Sequence, residues 1–375
     1  MAPSVTALEA ALQRVQDPEL GRSLIELGMV RDLAVSDAGA VSLRVVLTTP
    51  ACPMKARIGD DVRAALTVAG ATAVEITWDA EVPRRAMRDD DPVPSASNII
   101  FVMSGKGGVG KSTVATNLTM ALHRFGCRVG LLDADIYGPS IPTMMGVMGR
   151  PISKDGARIE PLQRFGVKLM SIGFLLEDPK SAVIWRGPML AGALMQFLKD
   201  VEWGPLDYLI LDLPPGTGDI ALTLSQRVAA TGAVIVTTPQ EVALQDVYKS
   251  VAMCKKVDIP VLGVIENMSY FEDPSGQRHE LFGAGGGQAV AEFAEAPLLG
   301  RLPLDPRARQ WGDAGTPVVK AAPELEVSKE MVRIAERLAD RISLLHAARG
   351  AAEGGGELVI DRSGGQGRVR LPIAR

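Results

Sequence analysis

Cysteine is scarce in this sequence: Cys52, Cys127 and Cys254 are the only three in 375 residues, and they lie far apart. That spacing argues against a disulfide-stapled scaffold and fits free thiols in a reducing compartment. There are only three histidines: His123 and His346 have no metal-ligand partner at useful spacing, and His279 lies in a polar loop where it reads as solvated. Positive charge is not in excess. The net charge of -4 gives no general attraction to nucleic acid or anionic lipid. No uncharged apolar run approaches membrane-spanning length. The first twenty residues lack the basic region followed by an apolar core that marks a secretion signal. The expectation is a soluble cytoplasmic protein with neither membrane nor nucleic acid as partner.

What is present is ordinary globular composition, 47% hydrophobic and 22% charged, in a chain comfortable for two domains. Residues 1–82 read as a small α+β unit. Leu8, Ala11, Leu12 and Val15 recur at helical spacing, "AVSLRVVLTT" and "AVEITWD" are strand-like, and "MKARIGDDVRAALTVAG" is a helix between them. Residues 83–97, "PRRAMRDDDPVPSAS", are charged and proline-containing without apolar periodicity, so they read as a linker. From Asn98 to His346 short apolar strands alternate with helical stretches. "NIIFVMS", "RVGLLDAD", "DYLILDLPP", "AVIVTTP" and "VLGVIENM" are mostly apolar on both faces. The expectation is an α/β domain whose mainly parallel sheet is covered by helices on both faces. The last helix places Val327, Met331, Ile334, Leu338, Ile342 and Leu345 on one side, and 347–375 is a glycine-rich tail.

The chemistry is concentrated at Gly105-Lys106-Gly107-Gly108-Val109-Gly110-Lys111-Ser112, followed by Thr113. This fits G-x-x-x-x-G-K-[ST] between an apolar strand and a helix. Glycines let backbone N–H groups turn inward around a phosphate, and the helix adds its positive dipole end. Lys111 supplies charge to the β/γ-phosphates of ATP, and the Ser112 hydroxyl can ligate Mg²⁺. Asp212 ends a second strand, where a P-loop NTPase holds the hydrated Mg²⁺. The run Pro214 to Asp219 that follows reads as a γ-phosphate-sensing switch. Asp133 and Asp135 stand at the tip of a third strand. There a carboxylate can orient the attacking water, contact the metal's water shell, or cap the next turn.

These motifs together resemble a known family. "KGGVGKS" looks like the deviant Walker A loop of MinD/Mrp-class P-loop ATPases. "GLLDADIYGPS", "DYLILDLPPGTGD" and "VLGVIENMSYF" resemble the Mrp/ApbC branch, the bacterial iron–sulfur cluster carrier ATPases. "DPELGRSLIELGMVRDLAV" and "LTTPACPMKARI" are similar to the small domain often fused ahead of Mrp ATPases, which also occurs among iron–sulfur assembly factors. The resemblance implies a slow ATP hydrolase acting as a face-to-face homodimer that delivers clusters to apoprotein clients. It implies that Lys106 reaches the partner's nucleotide. Asp135 matches the first-switch aspartate and Asp212 the Mg²⁺-side aspartate of the second. Asn267 matches an adenine-contacting asparagine, and Pro303 lies in the segment lining the base.

One departure stands out. Many members carry C-x-x-C just after "ENMSYF", whereas here no cysteine lies between Asn267 and Gly287. Iron–sulfur clusters want thiolate ligands, and Glu272, Asp273 and His279 are poor replacements. Cys52, in "TTPACP", matches a cysteine typical of the N-terminal domain. It reads equally as a cluster ligand or a small buried hydrophobe, while Cys127 and Cys254 read as structural. Two alternatives stay open: a MinD/ParA-like positioning switch, and an ATP-binding adaptor without a cluster.

Overall fold

The structure is a computed structural model describing residues 2–135, 138–153, 156–175 and 187–352. Its first unit contains α1 (Val5–Leu12), β1 (Val30–Val35), β2 (Ala40–Leu47), α2 (Lys55–Val68) and β3 (Ala73–Ala80). The Ser4 side chain accepts from Ala7 N and so starts α1, whose Leu8 and Leu12 are buried. β2 and β3 run parallel, which requires a crossover, and α2 provides it. α2 buries Ile58, Val62 and Leu66, one turn apart, on the sheet. β1 joins β2 antiparallel through a register break between Arg31 and Ala34, and Asp32 there has positive φ. That irregularity, within "VRDLAV", hides the strand from an alternation test.

Residues 83–95 form a strap between the two units, and the last two residues of the expected linker, 96 and 97, already belong to the strand that follows. The Arg85 guanidinium pairs with both carboxylate oxygens of Asp91, its Nη2 at 2.8 Å from Oδ1, and reaches Val93 O at 2.9 Å. Both side chains are almost fully buried. Arg85 N donates to Ser97 O, and Asn98 Nδ2 donates to Pro83 O.

The second unit continues through β4 (Ala96–Ser104), α3 (Lys111–Arg124), β5 (Val129–Asp133), α4 (Ile141–Met144), β6 (Leu162–Arg164), β7 (Val167–Ser171) and α5 (Gly187–Asp200). Next come β8 (Leu206–Asp212), α6 (Asp219–Arg227), β9 (Gly232–Thr237), α7 (Glu241–Lys256), β10 (Val261–Glu266), β11 (Phe271–Glu272) and β12 (Arg278–His279). The chain then adds α8 (Gly286–Ala294), β13 (Leu298–Arg301), α9 (Pro306–Asp313), α10 (Val318–Ala321) and α11 (Glu326–Ala352). The main sheet has the order β13-β10-β9-β4-β8-β5-β7-β6 and is parallel apart from β6. Every residue of β4, β5, β8, β9 and β10 is buried, as expected of strands with helices on both faces. The chain leaves β4 toward β5 on one side and later fills the other side with β9. The crevice at the carboxyl end of β4 is therefore the expected ligand position.

Helix α11 buries Val327, Met331, Ile334, Leu338 and Ile342, with Leu345 packed at the edge of the core. It runs on to Ala352, so the start of the glycine-rich tail is helical, and alanines at 347, 348, 351 and 352 favour this. The rest of the tail, 353–375, lies outside the described residues. Near its end, buried His346 donates from Nε2 to Asn98 Oδ1 at 2.9 Å, which ties the helix to the start of β4. Burial, aided by Arg349, pushes the imidazole pKa down to about 4.

A depressed histidine pKa means that the unfolded chain takes up the proton first, so stability falls as the pH drops from about 6.5 toward 4. The shift corresponds to about 3 kcal/mol at the acid end. His346→Gln keeps an N–H for Asn98 and should flatten that limb of a denaturant-midpoint profile. An unchanged profile would remove His346 as its source.

Candidate nucleotide site

Three adjacent strand ends build the site. In register, Asp212 of β8 lies opposite Val102 of β4 on one side and Asp133 of β5 on the other. The glycine-rich loop leaves β4 just beyond and enters α3 at Lys111. Two glycines in it are obligatory. A Cβ on Gly105 would stand 2.3 Å from Val247 N of α7. Gly110, with φ +83°, would place one 2.3 Å from Asn267 Nδ2.

Lys111 is buried with its Nζ 2.6 Å from Asp212 Oδ1, 3.4 Å from Ser112 Oγ and 3.7 Å from Asp135 Oδ2. Asp133 is wholly buried. Its Oδ1 accepts from Asp135 N, and its Oδ2 accepts from Ser171 Oγ at 3.0 Å and Ile141 N at 3.3 Å. Burial first, and then the charge of Asp212, pushes the Asp133 carboxyl pKa up to about 8. Burial raises Asp212 as well, against the pull of Lys111. Asp133 therefore braces the segment carrying Asp135 while Asp135 faces the lysine. The residues alone left the two aspartates equivalent, and only the family resemblance had singled out Asp135.

The buried Asp212 Oδ2 has no hydrogen-bond partner. An unpartnered carboxylate oxygen, with a serine hydroxyl near the same lysine, suits the water shell of Mg²⁺, which favours oxygen donors. The donor set fits the expected metal.

The remaining expected residues fall around this centre. Lys106 does not point at it. Its Nζ donates to Val242 O at 2.8 Å and stands 3.6 Å from Asp246 Oδ2 on α7, and the side chain is 38% exposed. Within one subunit, then, the second lysine rests on α7 and leaves the phosphate loop to Lys111. Asp246 holds Lys249 as well, and hydrogen bonding to that lysine, with help from Lys106, depresses its carboxyl pKa. Asn267 donates from Nδ2 to Val109 O at 2.8 Å, so its amide steadies the phosphate loop itself. Pro303 is buried in a loop strung to residues 269–270 by Ser269 N to Leu302 O and Leu304 N to Tyr270 O. Sequence reasoning passed over Glu266. This buried carboxylate accepts from the Ser269 hydroxyl and from Gly287 N at 2.6 Å, so it joins the Asn267 loop to the start of α8. Its only sequence signal was an ionisable residue closing an apolar strand.

In place of a C-x-x-C, β11 and β12 form a two-stranded hairpin closed by its own polar groups. His279 Nε2 lies 2.8 Å from Asp273 Oδ2, and Arg278 Nε lies 3.0 Å from Glu272 Oε2. Among the described residues no group of three or more His, Cys, Asp or Glu is placed to hold a metal ion. Cys127 and Cys254 are buried, whereas Cys52 is only half-buried. Burial, with the nearby charges of Glu19, Asp340 and Asp17, pushes the Cys52 thiol pKa up to about 12.

A parallel sheet, a glycine loop entering a helix, a buried lysine and flanking strand-end aspartates define a P-loop NTPase of the MinD/ParA fold. A family model described as NUBPL iron-transfer P-loop NTPase matches residues 95–339, and one described as iron–sulfur cluster assembly protein matches residues 6–78. The chain belongs to the NUBPL iron-transfer P-loop NTPase family. An iron–sulfur cluster carrier protein from Synechocystis sp. is 48% identical over 346 residues, covering 90% of this chain and 98% of its own. A nucleotide-binding protein from Archaeoglobus fulgidus, solved in complex with ADP, is 42% identical with a TM-score of 0.54. That match covers 61% of this chain and 92% of the other. The cell division ATPase MinD of Pyrococcus furiosus, at 24% identity and TM-score 0.50, covers 64% and 98% respectively and shares the fold.

Removing one partner of a buried ion pair strands the other charge and costs about 3 to 5 kcal/mol. Lys111→Ala should therefore destabilise the nucleotide-free protein by about that much. Lys111→Ala/Asp212→Ala should recover part of the loss in urea titrations. A double variant as unstable as the two single losses added would show the pair to be uncoupled.

Proposed function

We propose that this chain is an ATP-dependent iron–sulfur cluster carrier, and that its nucleotide is bound with Mg²⁺ at the glycine loop and slowly hydrolysed. The observation that carries the nucleotide half is the buried Lys111–Asp212 pair, with Ser112 Oγ at 3.4 Å from the same ammonium and Asp212 Oδ2 left without a hydrogen-bond partner. The ADP complex of the Archaeoglobus relative supports it. The cargo half is supported by the family description and by the name of the Synechocystis relative.

In this reading the loop amides from Gly107 to Thr113 wrap the phosphates and Lys111 moves its ammonium from Asp212 to the β/γ oxygens. Ser112 and Asp212 would hold the metal. Bound Mg²⁺ neutralises charge that develops on the transferred phosphoryl group. Asp135, tethered through its backbone to Asp133, faces the position of the attacking water. Asn267 and the Pro303 loop border the base. Lys106 leaves Val242 and Asp246 and serves a second copy of the chain in a homodimer. A lysine–phosphate contact in a drier interface is stronger than the exposed one it gives up.

The cluster is cargo, delivered to apoprotein clients in the cytoplasm. Of the three thiols, Cys52 is the one not fully buried, so a ligand role falls to it. Its acidic surroundings must open before a thiolate forms. The likeness to MinD lies below 25% identity and carries the fold without a positioning role.

Anaerobic reconstitution with iron and sulfide should give a chromophore that transfers to an apoprotein, and Cys52→Ala should lower the bound iron and sulfide. ATP turnover should fall on Lys106→Ala and on Asp135→Ala. No transferable chromophore, with nucleotide binding intact, overturns the carrier reading. Unchanged turnover in both variants overturns the site assignment.

A further inference from the structure

Helix α6 begins at the phosphate site and ends at the strap. Its entry loop is tied to the strand that feeds the glycine loop, since Gly216 N donates to Ser104 O at 2.8 Å. Gly216, at φ +81°, and Gly218 just before the helix give that end freedom to swing. At the other end Gln226 O is among the last carbonyls, which lack an intrahelical partner. It accepts from Arg88 Nη1 at 2.8 Å. A guanidinium at a helix carboxyl end also meets the negative pole of the helix dipole.

Arg88 belongs to a closed loop. Behind it Asp91 N donates to Arg88 O, Val93 N donates to Asp91 Oδ1, and the Arg85–Asp91 pair locks the two sides together. Before the loop, Glu81 N donates to Leu47 O at the end of β2, and the Glu81 carboxylate pairs with Arg31 of β1, Nη2 to Oε2 at 2.8 Å. One short helix of nine residues, about 13 Å long, thus separates the phosphate site from a stiff loop rooted in the N-terminal sheet. Arg88 itself is exposed, so its single bond can form and break.

We propose that the loop 85–93 reads the position of α6 through Arg88 and passes nucleotide state to the N-terminal domain. This inference rests on the nucleotide-binding reading above. Phosphate contacts at the Pro214–Gly218 segment shift the start of α6. The helix moves as a rod, and its carboxyl end either carries the Arg88 loop along or releases it. The two packings differ at one exposed cation–carbonyl contact, so the coupling is adjustable and reciprocal.

The test is amide hydrogen exchange on the full chain with Mg²⁺ alone, Mg-ADP, or Mg²⁺ and a non-hydrolysable ATP analogue, with binding measured calorimetrically on the same samples. Exchange at Arg85 and Asp91, whose amides are bonded within the strap, should change about fivefold with nucleotide. In Arg88→Ala the α6 amides should still respond while the strap does not. Arg88→Lys, which keeps a cation for Gln226 O, should restore the response. Nucleotide bound with an unchanged strap, or a full strap response in Arg88→Ala, overturns the coupling. Failure of nucleotide to bind overturns the proposed function instead.

Discussion

The ion pair between Lys111 and Asp212 is the constraint around which the second unit is arranged. Asp212 and Asp135 converge on one buried ammonium at the ends of neighbouring parallel strands, and the buried Asp133 stands behind them. In a low-dielectric interior such a concentration of carboxylates is tolerable only because Lys111 offsets part of it and because burial keeps Asp133 toward its protonated form. Phosphates compete for the same lysine. An anion that draws Lys111 away leaves Asp212 in need of another cation, and the Asp212 Oδ2 atom has no hydrogen-bond partner.

Much of this was legible beforehand, for identifiable reasons. β4, β5, β8, β9 and β10 are continuous apolar runs because they are buried on both faces, and such runs survive any reading frame. The glycine loop was legible because positive φ and close backbone approach, at Gly110 and Gly105, leave no other residue type. Helix α11 announced itself through a regular apolar stripe. The missed elements are short or irregular. β6, β7 and β13 have three to five residues, and β1 is broken by a register shift. Side-chain partners were less legible than elements. No spacing rule brings Asp246 to Lys106, Asn267 to Val109 or Glu266 to Gly287, since each pair is joined by tertiary packing across long sequence separations.

The N-terminal unit and the hairpin bear on the cargo in opposite ways. Where the family resemblance led to an expectation of two thiols, the hairpin of β11 and β12 sets an imidazole and three charged groups against one another. Cys52 lies instead at the junction of the domains, in a loop whose Thr49 hydroxyl is 3.4 Å from the Tyr208 hydroxyl at the base of β8. Its thiol is held protonated by burial and by carboxylates from both units. Access to it is therefore a matter of how the two units sit together, and the P-loop unit contributes Asp340 to that guard.

The Arg85–Asp91 pair has a consequence for how such a chain can be cut and joined. Because both partners lie on the strap, a break at residue 82 leaves the pair whole and travelling with the P-loop unit. A break between 85 and 91 strands a buried charge on each fragment. The natural seam of this protein thus lies ahead of the strap. Recombination can exchange the small N-terminal module as a cartridge, while the strap stays behind as its socket.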